Sequence, residues 1–175
     1  GVRVTVSVSC FVPKAYTPFQ WFAQVPQEEF ERRQQLLKAS IRDRAISFHY
    51  HDARASVLEG ALSRGDRRLS AVIETAWRNG AKFDGWTDQF KDEVWKDAFQ
   101  SCGVAPEFYS RRTRDLHEAL PWAHTSPGVS QDFLRREWQR AQEAALTHDC
   151  RREACTGCGV CPALHCEVVD WRAEA

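Results

Sequence analysis

Five cysteines near the end of the chain have the type and spacing to do chemistry together: Cys150, Cys155, Cys158, Cys161 and Cys166. They lie in the sequence CRREACTGCGVCPALHC, with the spacing Cys-x4-Cys-x2-Cys-x2-Cys-x4-Cys. Two residues between cysteines allow one tight turn to direct two sulfurs at a common centre. Gly157 and Gly159 alternate with the cysteines, where the backbone has to curl closely around such a centre.

Thiolates in this arrangement can hold a tetrahedral zinc ion or an iron–sulfur cluster, and the alternative is a pair of disulfides. Disulfides belong to oxidising compartments, and nothing else in the sequence indicates secretion. We therefore predict a metal or cluster site with Cys150, Cys155, Cys158 and Cys161 as ligands. Cys166 is the alternate ligand.

The spacing leaves zinc and iron–sulfur both open. The Cys-x2-Cys-x2-Cys run followed by proline resembles bacterial ferredoxins, which favours iron–sulfur. It departs from them because Pro162 follows Cys161 while a further cysteine, Cys166, comes later. The sequence has no distant second Cys-x2-Cys pair, so an ordinary zinc ribbon is excluded.

The composition is that of an ordinary globular protein. Of 175 residues, 43% are hydrophobic and 27% are charged, which allows one good core and a small appendage. The formal net charge of zero argues against nucleic-acid binding driven by bulk charge, although a local basic patch remains compatible with it. No apolar run is long enough to cross a bilayer, and the opening GVRVTVSVSC lacks the apolar core of a signal peptide. The expected location is the cytoplasm.

The chain begins at Gly1 and contains no methionine. Its first residues alternate as in a strand, with valines on one face and Thr5, Ser7 and Ser9 on the other. A single strand needs neighbours, and few other strands are visible in the sequence. We therefore expect a C-terminal fragment of a longer polypeptide, with the partner strands before Gly1.

The rest of the sequence indicates a mostly helical body. The alternation returns at residues 46–51, and helical periodicity predicts the remaining elements. Those helices are expected at residues 27–44, at 52–64 with Asp52 as N-cap, from Asp66 to Gly80, from Thr87 or Asp88 to Gly103, and from Ser130 onward. The fold class is thus α/β, mostly α.

His49, His51 and Asp52 cluster at the end of the second predicted strand, where α/β folds place ligands. Histidine can act as acid, base or metal ligand near neutral pH, so these residues are candidates for chemistry, with His51 and Asp52 favoured as the catalytic pair. A carbonyl-bonded histidine and an ordinary N-cap aspartate are the alternative interpretation.

Two groups of arginines are candidates for binding phosphate. Arg67 and Arg68 stand at a predicted helix start, where they either receive a phosphate or make salt links around Gly65. Further on, three arginines stand beside two aromatic residues, which suggests a strip in contact with RNA. That strip consists of Phe108, Tyr109, Arg111, Arg112 and Arg114.

Several phrases, in this order, resemble one family. They are TVSVSCFVPKAYTPFQW, SFHYHDARASVLEGALSRGDRRL, AWRNGAKFDGW, LPWAHTSPGVSQDFLRREW and DCRREACTGCGVCP. Together they resemble the C-terminal region of an uncharacterised radical SAM (S-adenosylmethionine) family that carries an N-terminal cobalamin-binding-type domain. The resemblance covers nearly the whole chain.

This resemblance implies that residues 1–25 form the final strand and exit of a partial TIM-type barrel. Residues 26–146 would then be a mainly helical domain, and 147–175 a cysteine-rich metal-binding tail. Thr5, Ser7 and Ser9 would line the barrel and contact cofactor or substrate. The implied partners are the missing N-terminal radical SAM and cobalamin-type domains, with RNA or protein as the possible substrate.

The resemblance also implies that the parent protein binds a [4Fe–4S] cluster and S-adenosylmethionine, with cobalamin as a further possibility. The Cys-x3-Cys-x2-Cys motif that would cleave S-adenosylmethionine is not in this sequence. This chain would add an auxiliary cluster or zinc site. The alternative function is a free-standing helical module with a structural zinc knuckle that binds RNA or protein.

Overall fold

A computed structural model describes residues 1–168. It contains two strands, β1 (Val4–Val8) and β2 (Ile46–Tyr50), and a 3₁₀ helix at Pro18–Trp21. The described helices are α1 (Gln27–Ser40), α2 (Ala53–Ser63), α3 (Leu69–Arg78), α4 (Asp92–Ser101), α5 (Pro106–Ser110), α6 (Gln131–Gln142) and α7 (Val160–Leu164). The prediction of an α/β, mostly helical protein is confirmed. Residues 169–175 of the predicted metal-binding tail lie outside the described residues.

The chain divides into two compact units. The first combines Gly1–Pro13 with Phe22–Thr113, and the second combines Lys14–Trp21 with the chain from Arg114 onward. Each unit has its own hydrophobic core.

In the first unit, β1, α1 and β2 form a β-α-β arrangement in which the two strands pair in parallel. Val4 lies opposite Ile46, and Val8 opposite Tyr50. Parallel strands need a long connection, and α1 supplies it here. The polar face of this small sheet, which includes Thr5, Ser7 and His49, is exposed, whereas most side chains of the apolar face are partly buried.

The core of the first unit lies among α2, α3, α4 and α5. Helix α3 contributes Leu69, Val72 and Ala76, which follow one another at helical spacing, and α4 contributes Trp95, Ala98 and Phe99. Gly80 ends the α3 segment in the left-handed region at φ 91°, and the N–H of Ala81 donates to the Ala76 carbonyl over 2.9 Å. These predicted stripes are confirmed, although Ile73 and Trp77 of the α3 stripe are exposed.

The start of α4 was predicted four residues too early. Thr87 and Asp88 lie in a series of turns, in which the N–H of Phe90 donates to the Trp86 carbonyl over 3.0 Å. The helix begins at Asp92, so two acidic residues, Asp92 and Glu93, occupy its first turn. Carboxylates are favoured at that position by the helix dipole.

The second unit is built around Trp21, Leu120, Trp122 and Leu134. A buried polar contact crosses this core: the Gln20 Oε1 atom accepts from Trp122 Nε1 over 2.8 Å and from the Tyr16 N–H over 3.1 Å. Ser130 caps α6 as predicted, because its hydroxyl accepts from the Phe133 N–H over 3.2 Å.

Candidate functional site

The cysteine segment of the second unit is fixed to the start of α6. The N–H of Ser130 donates to the Cys158 carbonyl over 2.9 Å. Gly159 has φ 93°, and a Cβ there would lie 3.2 Å from the Gly128 carbonyl oxygen. Only glycine meets both conditions without strain. The Ser130–Cys158 hydrogen bond then holds the backbone next to Cys158 in this conformation.

Cys155 and Cys158 flank a tight turn. Gly157 takes φ 70°, and its N–H points at the Cys155 sulfur over 3.4 Å. Hydrogen bonds to sulfur are among the features that tune cysteine-ligated clusters. The chain thus turns tightly between Cys155 and Cys158, as two intervening residues allow.

Cys161 and Cys166 are brought together by α7. The helix begins directly after Gly159, and the N–H of Cys166 donates to the Cys161 carbonyl over 3.1 Å. His165 stands between them in the left-handed region at φ 50° and turns the chain back. Cys166, the alternate ligand of the sequence interpretation, is therefore adjacent to Cys161.

The electrostatics of Cys161 reflect a cluster of thiols. Its pKa is raised above the ordinary value, first by desolvation and then by Cys166, whose side chain is both a charged neighbour and a hydrogen-bond partner. Cys158 and Cys155 raise the pKa further. Four thiols thus act on one another within twelve residues of chain, so forming one thiolate raises the cost of forming the next unless a cation is present.

This donor set fits zinc or an iron–sulfur cluster in ligand type and number. Within residues 1–168, no group of three or more histidine, cysteine, aspartate or glutamate side chains is already arranged to hold a metal ion. All seven cysteines are free thiols, including Cys150, which lies in the turn that follows Asp149. Metal binding here would therefore also bring the cysteine side chains into their final positions.

Cys10 and Cys102, the two remaining cysteines, are partly buried in the first unit. The Cys10 sulfur accepts from the Gln34 amide over 3.4 Å, and the same amide donates to the His51 carbonyl over 2.9 Å. Gln34 therefore joins the ends of β1 and β2.

The polar residues predicted to line a barrel meet the second strand. The parallel register places Thr5 beside Ser47 and Ser7 beside His49. Residues paired in a parallel sheet point to the same side, so these four form one exposed polar face, and Ser9 follows just beyond β1. The structure thus brings His49 together with Thr5 and Ser7, which the sequence interpretation treated as separate candidates.

His51 and Asp52 border a cavity of about 730 Å³ at the carboxyl end of β2. Its wall also includes carboxylates and apolar side chains, among them Glu59, Asp84 and Phe90. Asp52 itself is engaged as the N-cap of α2 and pairs with Arg54 at 2.6 Å. Hydrogen bonding from Arg54 lowers the Asp52 pKa below its ordinary value. Asp52 is therefore a helix cap and an ion-pair partner.

The arginine surface in the structure combines members of both predicted groups. Arg68 and Arg112 both lie against the ring of Phe108, at 5.4 and 4.9 Å from its centroid. Arg114 is not part of this surface: it belongs to the second unit, is 4% exposed and lies 5.3 Å from the Trp122 ring. No local pattern indicates that Arg68 meets Phe108, because the two residues lie forty positions apart in the sequence.

No helix in the described part of the chain has the length and apolar character needed to cross a membrane. Comparisons of the chain with protein-family models, with curated proteins and with solved structures gave no match.

Proposed function

We propose that this chain is the C-terminal part of a radical SAM enzyme and that its cysteine segment holds an auxiliary metal ion or iron–sulfur cluster. The observation that carries the proposal is the placement of Cys155, Cys158, Cys161 and Cys166 on two adjacent turns of the chain, with the Gly157 N–H directed at the Cys155 sulfur. Three ligands come from two successive Cys-x2-Cys turns, and the fourth from the end of α7.

Cys166, rather than Cys150, is the fourth ligand in this proposal. Its backbone N–H is bonded to the Cys161 carbonyl, and its thiol interacts with the Cys161 thiol. An iron–sulfur cluster in this position would supply electron transfer or a site for substrate, and zinc would supply a structural crosslink. The protein's own contribution is the fixed backbone at Gly157 and Gly159 and the N–H donor to Cys155.

The enzyme assignment draws support from the β-α-β arrangement of the first unit. Parallel sheets are ordinarily covered on both faces and contain more than two strands. Here one face of the β1–β2 pair is exposed and carries hydroxyl and imidazole groups, and the apolar face is only partly buried. Such a pair fits a larger parallel sheet with a polar interior, as the resemblance to the radical SAM family implies.

Metal analysis of the chain tests the auxiliary site. The chain is expressed in medium with iron and zinc, purified without oxygen, and examined for metal, sulfide and visible absorption. The proposal predicts stoichiometric zinc or iron that is lost in Cys158→Ser and Cys166→Ser and retained in Cys150→Ser. Loss in Cys150→Ser with retention in Cys166→Ser would reverse the ligand assignment, and a metal-free wild-type chain would overturn the site.

The enzyme assignment has a separate test. The reading frame upstream of Gly1 should encode a Cys-x3-Cys-x2-Cys motif followed by further β-α units. In the full-length enzyme, Cys158→Ser should reduce product formation while reductive cleavage of S-adenosylmethionine continues. A start codon directly before Gly1 would overturn the enzyme assignment and favour a metal-binding module.

A further inference from the structure

One surface of the first unit combines arginines from two distant parts of the chain around an exposed ring. We propose that this surface, termed here the Phe108 cluster, binds single-stranded nucleic acid. It consists of Arg67, Arg68, Phe108, Arg111 and Arg112.

The cluster is formed by the corner between α2 and α3 and by the end of α5. At the corner, Arg68 pairs with Asp66 at 2.6 Å, and the Tyr109 hydroxyl donates to the same carboxylate over 3.1 Å. Tyr109 is buried, which fixes α5 against the corner. The two halves of the cluster therefore have a defined position before any ligand binds.

A second, fully buried contact supports the other half. The Arg64 guanidinium donates to the Ser110 carbonyl over 2.9 Å and to the Arg112 carbonyl over 3.1 Å. These bonds hold the backbone from which the Arg111 and Arg112 side chains extend. A surface that is ordered in advance loses less conformational entropy when it binds a partner.

Phe108 is 46% exposed, and the next residue, Tyr109, is buried in the core of the first unit. The guanidinium groups of Arg68 and Arg112 lie over the Phe108 ring, 5.4 and 4.9 Å from its centroid, so cationic planar groups and an exposed aromatic ring form one surface. Nucleobases stack on aromatic rings and on guanidinium planes, while guanidinium edges donate to phosphate. This combination matches a chain that alternates planar bases with phosphates.

The charge of the cluster also favours an anionic chain. Four of its five residues are arginines, of which Arg68 pairs with the Asp66 carboxylate, whereas the whole protein has zero net charge. Arg67 and Arg111 are exposed and stand next to the two arginines that contact the ring. An acidic peptide would satisfy these charges, but it would make no use of the ring, which is why nucleic acid is the occupant that we propose.

Binding of short fluorescein-labelled single-stranded RNA to the complete chain, measured by anisotropy, tests the proposal. Single-stranded DNA of the same sequence shows whether the sugar is recognised, and poly-glutamate competes for charge alone. Phe108→Leu should weaken RNA binding by about 5-fold or more, the loss expected for one stacked base. Trp86→Leu, at an exposed aromatic residue elsewhere in the first unit, should leave the affinity unchanged.

Removal of two charges gives a second, independent measurement. Arg67→Ala combined with Arg111→Ala should lower the slope of log affinity against log salt by about 1.4, since each phosphate contact with a single strand contributes about 0.7. The control is Arg42→Ala combined with Arg44→Ala, at exposed positions before β2. All variants are first checked by circular dichroism.

The proposal is overturned if Phe108→Leu and the Arg67/Arg111 double variant both bind RNA as the wild type does. It is also overturned if poly-glutamate displaces RNA at equal charge concentration and Phe108→Leu has no effect, because the surface would then recognise acidic protein. Because neither set of variants touches a cysteine, failure here would leave the metal site unaffected.

Discussion

The backbone N–H of Gly157 donates to the sulfur of Cys155 over 3.4 Å, within a turn that only a left-handed residue can complete. The next glycine, Gly159, is also left-handed, and it lies against the Gly128 carbonyl. The two glycines therefore differ in one respect: a Cβ at Gly157 would make an ordinary 3.7 Å contact with the Arg136 side chain, whereas a Cβ at Gly159 would lie 3.2 Å from a backbone oxygen.

This difference predicts graded effects on metal affinity. Gly157→Ala should cost about 1–2 kcal/mol, the usual penalty for a left-handed alanine, which corresponds to about a tenfold loss in affinity. Gly159→Ala should cost more, because its Cβ would also lie 3.2 Å from a backbone oxygen. Competition with a chelator measures both, and equal effects would contradict the steric argument.

The α2–α3 corner predicts a sharp steric effect in the first unit. A Cβ at Gly65 would lie 1.9 Å from Leu69 Cδ1 and 3.1 Å from the Ala61 carbonyl oxygen, and both neighbours are buried. Gly65→Ala should lower the free energy of unfolding by about 1–3 kcal/mol, as overpacked cores do. Urea unfolding measures this, and Gly85→Ala, where no atom lies within 4 Å, is the matched control.

The core of the second unit depends on the Gln20 side chain. Gln20→Leu keeps the volume but leaves the Trp122 Nε1–H without its 2.8 Å acceptor in a buried position. The expected loss is about 1–3 kcal/mol of unfolding free energy. Thermal unfolding followed by tryptophan fluorescence measures it. The exposed Gln139→Leu on α6 should change little, and equal stability of both variants would contradict the role of this hydrogen bond.

The Asp66–Arg68 pair predicts a dependence of stability on pH. Hydrogen bonding from Arg68 holds the pKa of the Asp66 carboxyl well below its usual range. An aspartate in the unfolded chain titrates near about 3.9, so this contribution is fully present above that pH. It is lost progressively as the pH falls below it, since the native carboxylate has to be protonated.

Asp66→Asn should therefore flatten the acid side of the stability profile and destabilise the chain at neutral pH. Denaturation midpoints between pH 2 and 7 measure the effect, with Asp97→Asn on α4 as the control. An acid limb that is as steep in Asp66→Asn as in the wild type would show that other carboxylates cause it.

Local signals in the sequence predicted the local structure of this protein well. Asp52, Ser130 and Gly80 each act within three or four residues, and the caps that they predict are confirmed. The parallel pairing of β1 with β2 was not predicted, because a strand pattern indicates which face is apolar and not which strand is the neighbour.

The candidate sites show the same limit. The sequence analysis treated the cysteines as one group, with Cys166 as the alternate ligand. Spacing alone does not indicate that α7 turns the chain back to Cys161. The sequence analysis grouped Arg114 with Phe108 and placed Arg68 in another group. In the structure, Arg68 lies against Phe108, and Arg114 belongs to the second unit. Contacts between distant residues depend on the tertiary structure, which no short motif encodes.

The interleaving of the two units along the chain has a consequence for protein synthesis. Trp21 leaves the ribosome early, but its apolar partners Leu120, Trp122 and Leu134 are about a hundred residues further on. At bacterial and eukaryotic elongation rates, the wait is on the order of ten seconds. During that interval the nascent chain exposes a tryptophan that a chaperone can bind.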